Sequence, residues 1–566
     1  MNMFENYPRK MFLTLCLMGG ILVTQAQTAR VQVIHNCADN IADSVDVYLN
    51  GTLLLDDFAF RTATPFIDAP AGVSLDIDVA PKTSTSVANS IYNLNTTLTA
   101  GETYVVVAAG ITGLSSTSYS SAPAFELDVY PMGREVADVA GNTDVLVYHG
   151  STDAPPVDVY ESRVLNANAS NNLVYSDFDG YLELPANDYV LEVRDSIGSV
   201  VVASYDAPLQ TLGLQDSAIT VLASGFLDPS VNGNGPAFGL YAALASGGNL
   251  VALPASTARL QVIHNCPDDI ADSVDVYLNG NLLLDNFAFR TATPFIDAPA
   301  GVTIDIDVAP KTSTSVANSI YNLNTALTSG ETYVVVAAGI TGLSSTSYSA
   351  NPAFELDVFA MAREQASTST NTDILVYHGS TDAPTVDIFE SSVLNTTASD
   401  DLMYSDFDGY VELPNNDYIV EVRDASGTNV VASYLAPLQT LGLQGAAITV
   451  LASGFLDPSV NGNGPAFGLY AALASGGNLV ALPVGFVGLD ENEGLNVSLY
   501  PNPSQGTLYI EGVENYNIVI SDLSGKVVKR AYAVNGSLDI NDLQSGFYNV
   551  AIELDGTVSN VKLVKE

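Results

Sequence analysis

The chain has 566 residues, of which 63 are Asp or Glu and 18 are Lys or Arg, so its formal net charge at pH 7 is −45. This charge repels phosphates at long range, which excludes nucleic acid as a partner and disfavours anionic lipid surfaces. Hydrophobic residues make up 47% of the chain, enough to fill the cores of several domains, so the sequence is not that of a disordered acidic tail.

Residues 1–26 have the pattern of a secretory signal peptide. A basic pair precedes an apolar run over 11–23, and small residues follow the run. The run is too short to span a bilayer. We therefore predict cleavage after Ala26 and a secreted protein that does not span a membrane. Cys16 lies inside the run rather than after it, which disfavours a lipid-anchored cysteine.

A tandem duplication dominates the chain. Residues 28–254 recur at 257–483 with a constant offset of 229 positions, and such long-period similarity decides the domain organisation. A weaker repeat divides each copy, because a His-x3-Asp motif followed by a Val-Asp-Val-Tyr type of strand occurs twice in it. The sequence therefore predicts four modules, at 28–138, 142–255, 257–367 and 371–484.

Each module shows the alternation of apolar and polar residues that is typical of β-strands. Val45, Val47 and Leu49 share one face of a predicted strand, and the hairpin signal Asn50-Gly51 follows directly. The apolar run 103–109 predicts a central strand. No stretch combines a long 3.6-residue period with helix caps. The pattern predicts an all-β chain of four tandem immunoglobulin-like β-sandwich modules and a small C-terminal β-sandwich.

Outside the signal peptide the chain has two cysteines, Cys37 and Cys266. Secretion permits a disulfide. The two cysteines lie in different modules, however, and a disulfide requires Cα atoms about 4.4–6.8 Å apart. We therefore predict two buried, unpaired thiols.

The modules resemble the domain-of-unknown-function family numbered 4397. The motifs that carry the resemblance in the first copy are Val45–Tyr48, Phe58, Phe60, Thr64–Gly72, Tyr104–Gly110, Leu222–Pro229 and Asn234–Gly239. The resemblance covers 28–484. It implies an extracellular β-sandwich and no known activity.

The last part of the chain is a different unit. The repeat ends near residue 484, residues 485–494 form a predicted linker, and strand alternation resumes within 495–566. Five basic residues cluster in this C-terminal domain: Lys526, Lys529, Arg530, Lys562 and Lys565. The pattern predicts a separate small β-sandwich.

This C-terminal domain resembles the type A sorting domain of type IX secretion. The matching residues, in order, are Tyr500–Pro503, Gly506, Asp522–Lys526, Leu543, Gly546, Tyr548, Val550 and Lys562–Glu566. The resemblance implies a Bacteroidetes-type envelope and recognition by the type IX secretion machinery. It also implies export across the outer membrane, removal of the tail, and then release or surface attachment.

His35 with Asp39 is a polar pair that recurs at His149/Asp153, His264/Asp268 and His378/Asp382. The pair could supply a metal ligand or a catalytic base. Zinc needs three or four ligands, but Ser151 in the second module stands where Cys37 stands in the first. A nucleophile needs a base and an orienting group around it, and no Gly-x-Ser-x-Gly or His-Glu-x-x-His motif accompanies the pair.

The sequence therefore favours a histidine that fixes a strand-to-loop turn by hydrogen bonding to the aspartate or to the backbone. We assign no catalytic, cofactor-binding or metal-binding residue, and we predict that the protein is not an enzyme.

Two oxygen-rich loops are candidate calcium-binding sites. Asp177–Gly180, repeated at Asp406–Gly409, is similar to the start of a calcium loop, but Tyr181 occupies the next ligand position. Asp228–Gly235 is the second loop. Both patterns favour Asx turns. We predict no cofactor, although the charge of the chain leaves weak Ca²⁺ binding open.

The leading functional hypothesis is a secreted or cell-surface, non-enzymatic β-sandwich repeat protein exported by type IX secretion. It would act in adhesion, matrix or carbohydrate contact, where weak contacts of several modules add up. Its ligand would be a glycan or a surface protein. The alternative is a calcium-stabilised structural spacer or surface-layer component without a specific ligand.

Overall fold

The computed structural model describes residues 27–485, 497–511, 516–523, 525–533, 536–554 and 557–566. Every regular element in these ranges is a strand or a short 3-10 turn, which confirms the predicted all-β class. The 3-10 turns are Asn40–Ala42, Val87–Asn89, Pro229–Val231, Asp269–Ala271, Val316–Asn318 and Pro458–Val460. Accordingly, none of the described residues forms a helix long and apolar enough to cross a membrane.

The chain divides into two compact units, Met1–Ala255 and Ser256–Glu566. The predicted signal peptide, and the predicted linker apart from Gly485, lie outside the described residues. The four module boundaries stay a prediction.

The first half of the first unit contains nine strands: β1 (Thr28–His35), β2 (Ser44–Leu49), β3 (Thr52–Ala59), β4 (Thr62–Ala63), β5 (Ile67–Pro70), β6 (Ser74–Pro81), β7 (Tyr92–Thr97), β8 (Thr103–Ala109) and β9 (Glu126–Pro131). An outer sheet has the order β3-β2-β6-β7. An inner sheet has the order β4-β1-β8-β9, with β5 also paired to β1.

The second half of this unit contains β10 (Asn142–His149), β11 (Val157–Glu161), β12 (Ala167–Leu173), β13 (Phe178–Pro185), β14 (Tyr189–Asp195), β15 (Val201–Ala207), β16 (Ala218–Ser224), β17 (Gly239–Leu244), β18 (Gly248–Asn249) and β19 (Val251–Ala252). Its outer sheet is β12-β11-β14-β15 and its inner sheet is β13-β10-β16-β17-β19. Strand β18 pairs with β4, so the inner sheet of the first half includes a strand from the second half.

The second unit repeats this arrangement with β20 (Thr257–His264), β21 (Ser273–Leu278), β22 (Asn281–Ala288), β23 (Thr291–Ala292), β24 (Ile296–Pro299), β25 (Thr303–Pro310), β26 (Tyr321–Ala326), β27 (Thr332–Ala338), β28 (Glu355–Ala360), β29 (Asn371–His378), β30 (Val386–Glu390), β31 (Thr396–Leu402), β32 (Phe407–Pro414), β33 (Asp417–Asp424), β34 (Val430–Pro437), β35 (Ala447–Ser453), β36 (Gly468–Leu473), β37 (Gly477–Asn478) and β38 (Val480–Ala481). Its sheets are β22-β21-β25-β26, β28-β27-β20-β23-β37, β31-β30-β33-β34 and β32-β29-β35-β36-β38.

The four histidines occupy equivalent positions, as the sequence predicts. Strands β1, β10, β20 and β29 each end at a histidine. Each of these strands runs parallel to a neighbour, and the histidine lies opposite an alanine of that neighbour: Ala108, Ala223, Ala337 or Ala452.

The predicted Asn-Gly hairpin joins β2 to β3. Asn50 and Gly51 have φ angles of 50° and 76°. These left-handed values are those that a two-residue hairpin turn needs, and they explain why this residue pair stands there.

The two inner sheets of the first unit pack against each other and share a core. One face of the first inner sheet, including Val31 and Val106, packs in its own sandwich. The opposite face places Ile34 and Val107 in a cluster with Leu222 and other residues of the second half. The first unit is therefore a stack of four sheets in which the two halves share a core.

Polar side chains join the same two halves. The Asn36 amide donates to the carbonyl oxygens of Gly150 at 3.3 Å and Ala223 at 3.1 Å. The Gln32 amide donates to the carbonyl of Leu244 at 2.7 Å. These bonds satisfy backbone oxygens that packing removes from water, so the contact between the halves is specific as well as apolar.

The C-terminal domain has its own strands: β39 (Ser498–Tyr500), β40 (Thr507–Glu511), β41 (Tyr516–Asp522), β42 (Val527–Ala533), β43 (Ser537–Asp539), β44 (Gly546–Leu554) and β45 (Thr557–Lys565). They form the sheets β39-β40-β43 and β42-β41-β44-β45 around a separate core that includes Leu508, Ile520 and Val550. The dipeptide Ser524-Gly525 is typical of a hairpin turn, but Ser524 lies outside the described residues.

Candidate functional site

His35 is completely buried at the end of β1 and makes hydrogen bonds to the backbone. Its Nε2 donates to the carbonyl of Ala42 at 2.9 Å, and its Nδ1 accepts from the amide of Cys37 at 3.3 Å. Because a carbonyl can only accept, the ring is the neutral tautomer with its proton on Nε2. Burial lowers the pKa of His35 to about 4. His264 has the same environment, and burial lowers its pKa to about 4 as well.

His149 and His378 keep one of these two bonds. The Nε2 atoms donate to the carbonyl oxygens of Pro155 and Pro384, both at 3.1 Å. The Nδ1 atoms are buried and have no hydrogen-bond partner. Burial lowers the pKa of both rings. All four histidines therefore hold the loop that follows their strand, but two of them keep an unused acceptor.

Asp39 does not bond to the histidine of its motif. Its carboxylate accepts from the backbone amide of Thr112 at 2.9 Å and from the hydroxyl of Tyr119 at 2.8 Å. The sequence left open whether the histidine bonds to the aspartate or to the backbone, and in the structure it bonds to the backbone. The aspartate instead ties down a second loop.

Asp153 has the corresponding role in the second half. Its carboxylate accepts from the amide of Leu227 at 2.8 Å and from the side chain of Asn232 at 2.8 Å. Asn232 in turn accepts from the amide of Ser120 at 2.8 Å. The predicted oxygen-rich loop 228–235 therefore helps to join the two halves of the unit.

The stability of each unit should fall as the pH drops from about 6.5 to about 4. An unfolded histidine has a pKa of about 6.5, whereas folded His35 has a pKa of about 4, so the unfolded state takes up the proton first. The contribution of neutral His35 is fully present above pH 6.5 and is lost as the pH falls towards 4, by about 3 kcal/mol. Urea unfolding at a series of pH values would measure this loss.

Because many carboxylates also titrate in this range, the comparison needs a matched variant. His35→Gln removes one titrating ring, so its free energy of unfolding should depend less steeply on pH than that of the parent. Parallel pH profiles for parent and variant would contradict the assignment.

Both cysteines are free and buried, as predicted. The thiol of Cys37 donates to the carbonyl of Gly110 at 3.0 Å, and that of Cys266 to the carbonyl of Gly339 at 3.1 Å. Burial raises the pKa of each thiol to about 12. Since the thiolate is the reactive form, neither cysteine suits nucleophilic chemistry.

Thiol labelling should therefore distinguish the folded from the unfolded protein. We expect the native mature chain to react far more slowly with a thiol reagent than free cysteine, and the denatured, unreduced chain to show two thiols. A denatured chain without titratable thiols would mean that a disulfide forms between the two units.

The suspected calcium loops have structural roles. Asp228 caps the 3-10 turn that follows it by accepting from the amide of Ser230 at 2.9 Å, which confirms the Asx interpretation for this loop. Residues 178–180 belong to β13 instead of forming a loop around an ion. Within the described parts of the chain, no three His, Cys, Asp or Glu side chains are grouped so that they could hold a metal.

Two apolar cavities were not predicted from the sequence. One lies inside the sandwich of residues 142–255 and the other inside that of 371–484, with volumes of about 320 and 500 Å³. No motif marks them. They arise where a small residue of one half stands at the position that an aromatic ring fills in the other half.

The described residues thus define an all-β protein whose recurring polar motif holds loops in place. The chain belongs to the family described as Domain of unknown function (DUF4397), which matches residues 29–124, 143–232 and 258–389. The family described as Secretion system C-terminal sorting domain matches residues 498–566. Both findings confirm the resemblances stated above.

No curated protein matches the chain. Among solved structures, the Bacillus anthracis TIE protein is 9% identical, with 82% of this chain and 72% of that chain covered and a TM-score of 0.13. PorZ, a surface component of the type-IX secretion system of Porphyromonas gingivalis, is 11% identical, with coverage of 92% and 86% and a TM-score of 0.12. A structure of Dscam is 10% identical, with coverage of 77% and 99% and a TM-score of 0.10. Scores this low carry no argument about fold or function.

The sorting domain establishes where the protein is located. It marks a protein that the type IX secretion machinery recognises and that is secreted or attached to the outer-membrane surface. The repeat of residues 27–485 is therefore carried to the outside of the cell or to its outer surface.

Proposed function

We propose that residues 27–485 form a non-enzymatic contact protein that acts outside the cell, in adhesion or matrix contact, by binding a positively charged protein surface with both of its units. The observation that carries this proposal is the charge of the folded repeat. Residues 27–485 contain 51 acidic and 11 basic residues, and the basic side chains are already engaged within the protein.

Nine of the eleven basic side chains form ion pairs with carboxylates, for example Arg134 with Asp144 at 2.6 Å. The other two, Arg61 and Arg290, donate to backbone carbonyls and lie over tyrosine rings at 4.0 Å. The excess carboxylates therefore set the field around the repeat. Such a field accelerates association with a cationic partner and repels an anionic one.

The duplication supplies the second element of the proposal. Bonds that join the two halves of the first unit recur in the second, as in the pairs Arg61–Ser224 and Arg290–Ser453, both 3.0 Å. Any surface that binds a partner therefore occurs twice on one chain. Two linked weak contacts give a higher overall affinity than either one alone.

Two further observations support this choice over an enzyme or a carbohydrate binder. The histidines and the motif carboxylates are occupied in holding loops, as described above. Within residues 27–485, no Tyr or Phe belongs to the exposed large hydrophobic side chains, so the described surface of the repeat offers no open aromatic platform for a sugar.

The proposal is tested by retention on a panel of immobilised proteins that range from acidic to basic. We expect the mature chain to bind the basic members of the panel and to lose that binding at high salt. It should also bind them more tightly than poly-L-glutamate of equal charge, because its carboxylates are fixed in space. No retention on any basic member at low salt would contradict the proposal. Retention that depends on Ca²⁺ would favour the calcium-stabilised spacer instead.

A further inference from the structure

The second half of each unit has an apolar cavity, and in the second unit the corresponding space of the first half is filled. The cavity in residues 371–484 measures about 500 Å³, whereas the corresponding space in residues 257–367 measures about 20 Å³. Cavities that hold small ligands have volumes of about 300–1,000 Å³. A molecule that fills an apolar space of this size gains van der Waals contacts with its lining, so its binding would stabilise the unit.

One residue difference in the outer sheet explains the difference in volume. In the first half of the second unit, Val308 of the outer sheet pairs with Tyr321, whose ring packs edge-on against Phe354 at a centroid distance of 5.3 Å. In the second half, the equivalent valine, Val422, pairs with Ala432. An alanine in place of a tyrosine leaves the space that the ring would fill. The corresponding residues of the first unit are Tyr92 and Ala203.

The wall of the larger cavity reaches the surface. It is lined mainly by aliphatic side chains, and several of these are also exposed to solvent. Leu394, Val431, Leu441 and Leu456 line the cavity and are 44%, 54%, 49% and 44% exposed. Exposed aliphatic residues that continue into an interior space provide an apolar entrance.

One polar atom in this wall has no partner. His378 lines the cavity, is only 1% exposed, and has a buried Nδ1 without a hydrogen bond. Its Nε2 carries the proton, because it donates to the carbonyl of Pro384. Nδ1 is therefore a lone-pair acceptor, and a buried acceptor without a donor is costly.

The filled half satisfies the same atom. The Nδ1 of His264 accepts from the amide of Cys266 at 3.3 Å, in the half without a large cavity. His149 lines the smaller cavity of the first unit and has an unpartnered Nδ1 as well. The free acceptor and the cavity thus occur together in both units.

From these observations we infer that each unit binds an apolar small molecule between the sheets of its second half, with one O–H or N–H of the molecule donating to the histidine Nδ1. The aliphatic wall selects an uncharged, largely hydrocarbon ligand, and the single acceptor sets its orientation. This ligand site is separate from the acidic outer surface, so the failure of one proposal leaves the other intact.

The test uses N-phenyl-1-naphthylamine, an apolar fluorescent probe with a single N–H donor. We expect the mature chain to bind two probe molecules with enhanced fluorescence, and the bound probe to raise the temperature of unfolding. Ala432→Tyr should remove one site, and Ala203→Tyr combined with it should remove both. Thr428→Tyr, on the exposed surface, is the matched control and should leave two sites.

Circular dichroism of each variant checks the fold. If Ala432→Tyr does not fold, Ala432→Leu fills the cavity in part and should weaken binding at that site. No saturable binding by the parent chain overturns the inference. So does binding that persists in the folded double variant.

The role of the histidine is tested separately. His378→Phe keeps a ring but removes the acceptor, so it should weaken binding of the N–H probe at that site about five- to tenfold while binding of pyrene, which has no donor, stays unchanged. His264→Phe removes the equivalent hydrogen bond to a carbonyl in the filled half, and it should leave the affinity for both probes unchanged. Equal effects of His378→Phe on both probes, or no effect on either, would overturn the assigned hydrogen bond.

Discussion

Residues 27–138 produced alone are expected not to fold, although they contain one complete sheet and all of the other except strand β18. Without the second half, one face of the inner sheet is exposed, including Ile34, Phe66, Val105 and Val107, which are now at most 7% exposed. At about 2 kcal/mol for each large side chain, the loss is roughly 8 kcal/mol, comparable to the whole stability of a typical domain.

Residues 27–255 are the matched control, since they contain both halves, and they should unfold in one cooperative transition. Calorimetry and circular dichroism of the two chains provide the measurement. A point variant tests the same contact within the unit: Val107→Asp should prevent folding or destabilise severely, whereas Val129→Asp, on a partly exposed residue of the edge strand β9, should have little effect. A well-folded 27–138 would show that the halves are independent.

Deletion of residues 497–566 should prevent the protein from reaching the outside of its native cell. This segment matches the sorting domain, and its seven strands pair among themselves around their own core. The truncated chain should therefore accumulate in the periplasm, while the purified repeat should unfold at the same temperature with and without the segment. Fractionation and immunoblotting measure the first effect, and calorimetry the second.

Two results would contradict this account of the C-terminal domain. A truncated protein that still reached the surface would mean that another part of the chain carries the export signal. A large drop in the unfolding temperature of the repeat would mean that the domain is a structural part of it.

Local sequence patterns predicted much of this structure. The 229-residue offset, the histidine at the end of each first strand and the Asn50-Gly51 hairpin all have local causes, namely duplication, alternation and turn geometry. The order of motifs in 498–566 likewise identified the sorting domain. These features do not depend on which surface packs against which.

The packing of the inner sheets and the cavities depend on which surfaces pack against each other, and neither was predicted. The run 103–109 is apolar on both faces of β8, which indicated a central strand but not that its second face meets another half. To predict the cavity, one must know which residues pair with Val308 and Val422 across the strands, and a single sequence does not reveal this pairing. The unpartnered Nδ1 of His378 was hidden for the same reason, since the histidines look alike in sequence.

The most direct test of the central claim, that the repeat acts outside the cell, is mass spectrometry of the native protein in the medium and outer-membrane fractions. The mature chain should begin at Gln27, contain both units and lack the C-terminal sorting domain. A protein found only in the periplasm or cytoplasm with residues 498–566 still attached would contradict it.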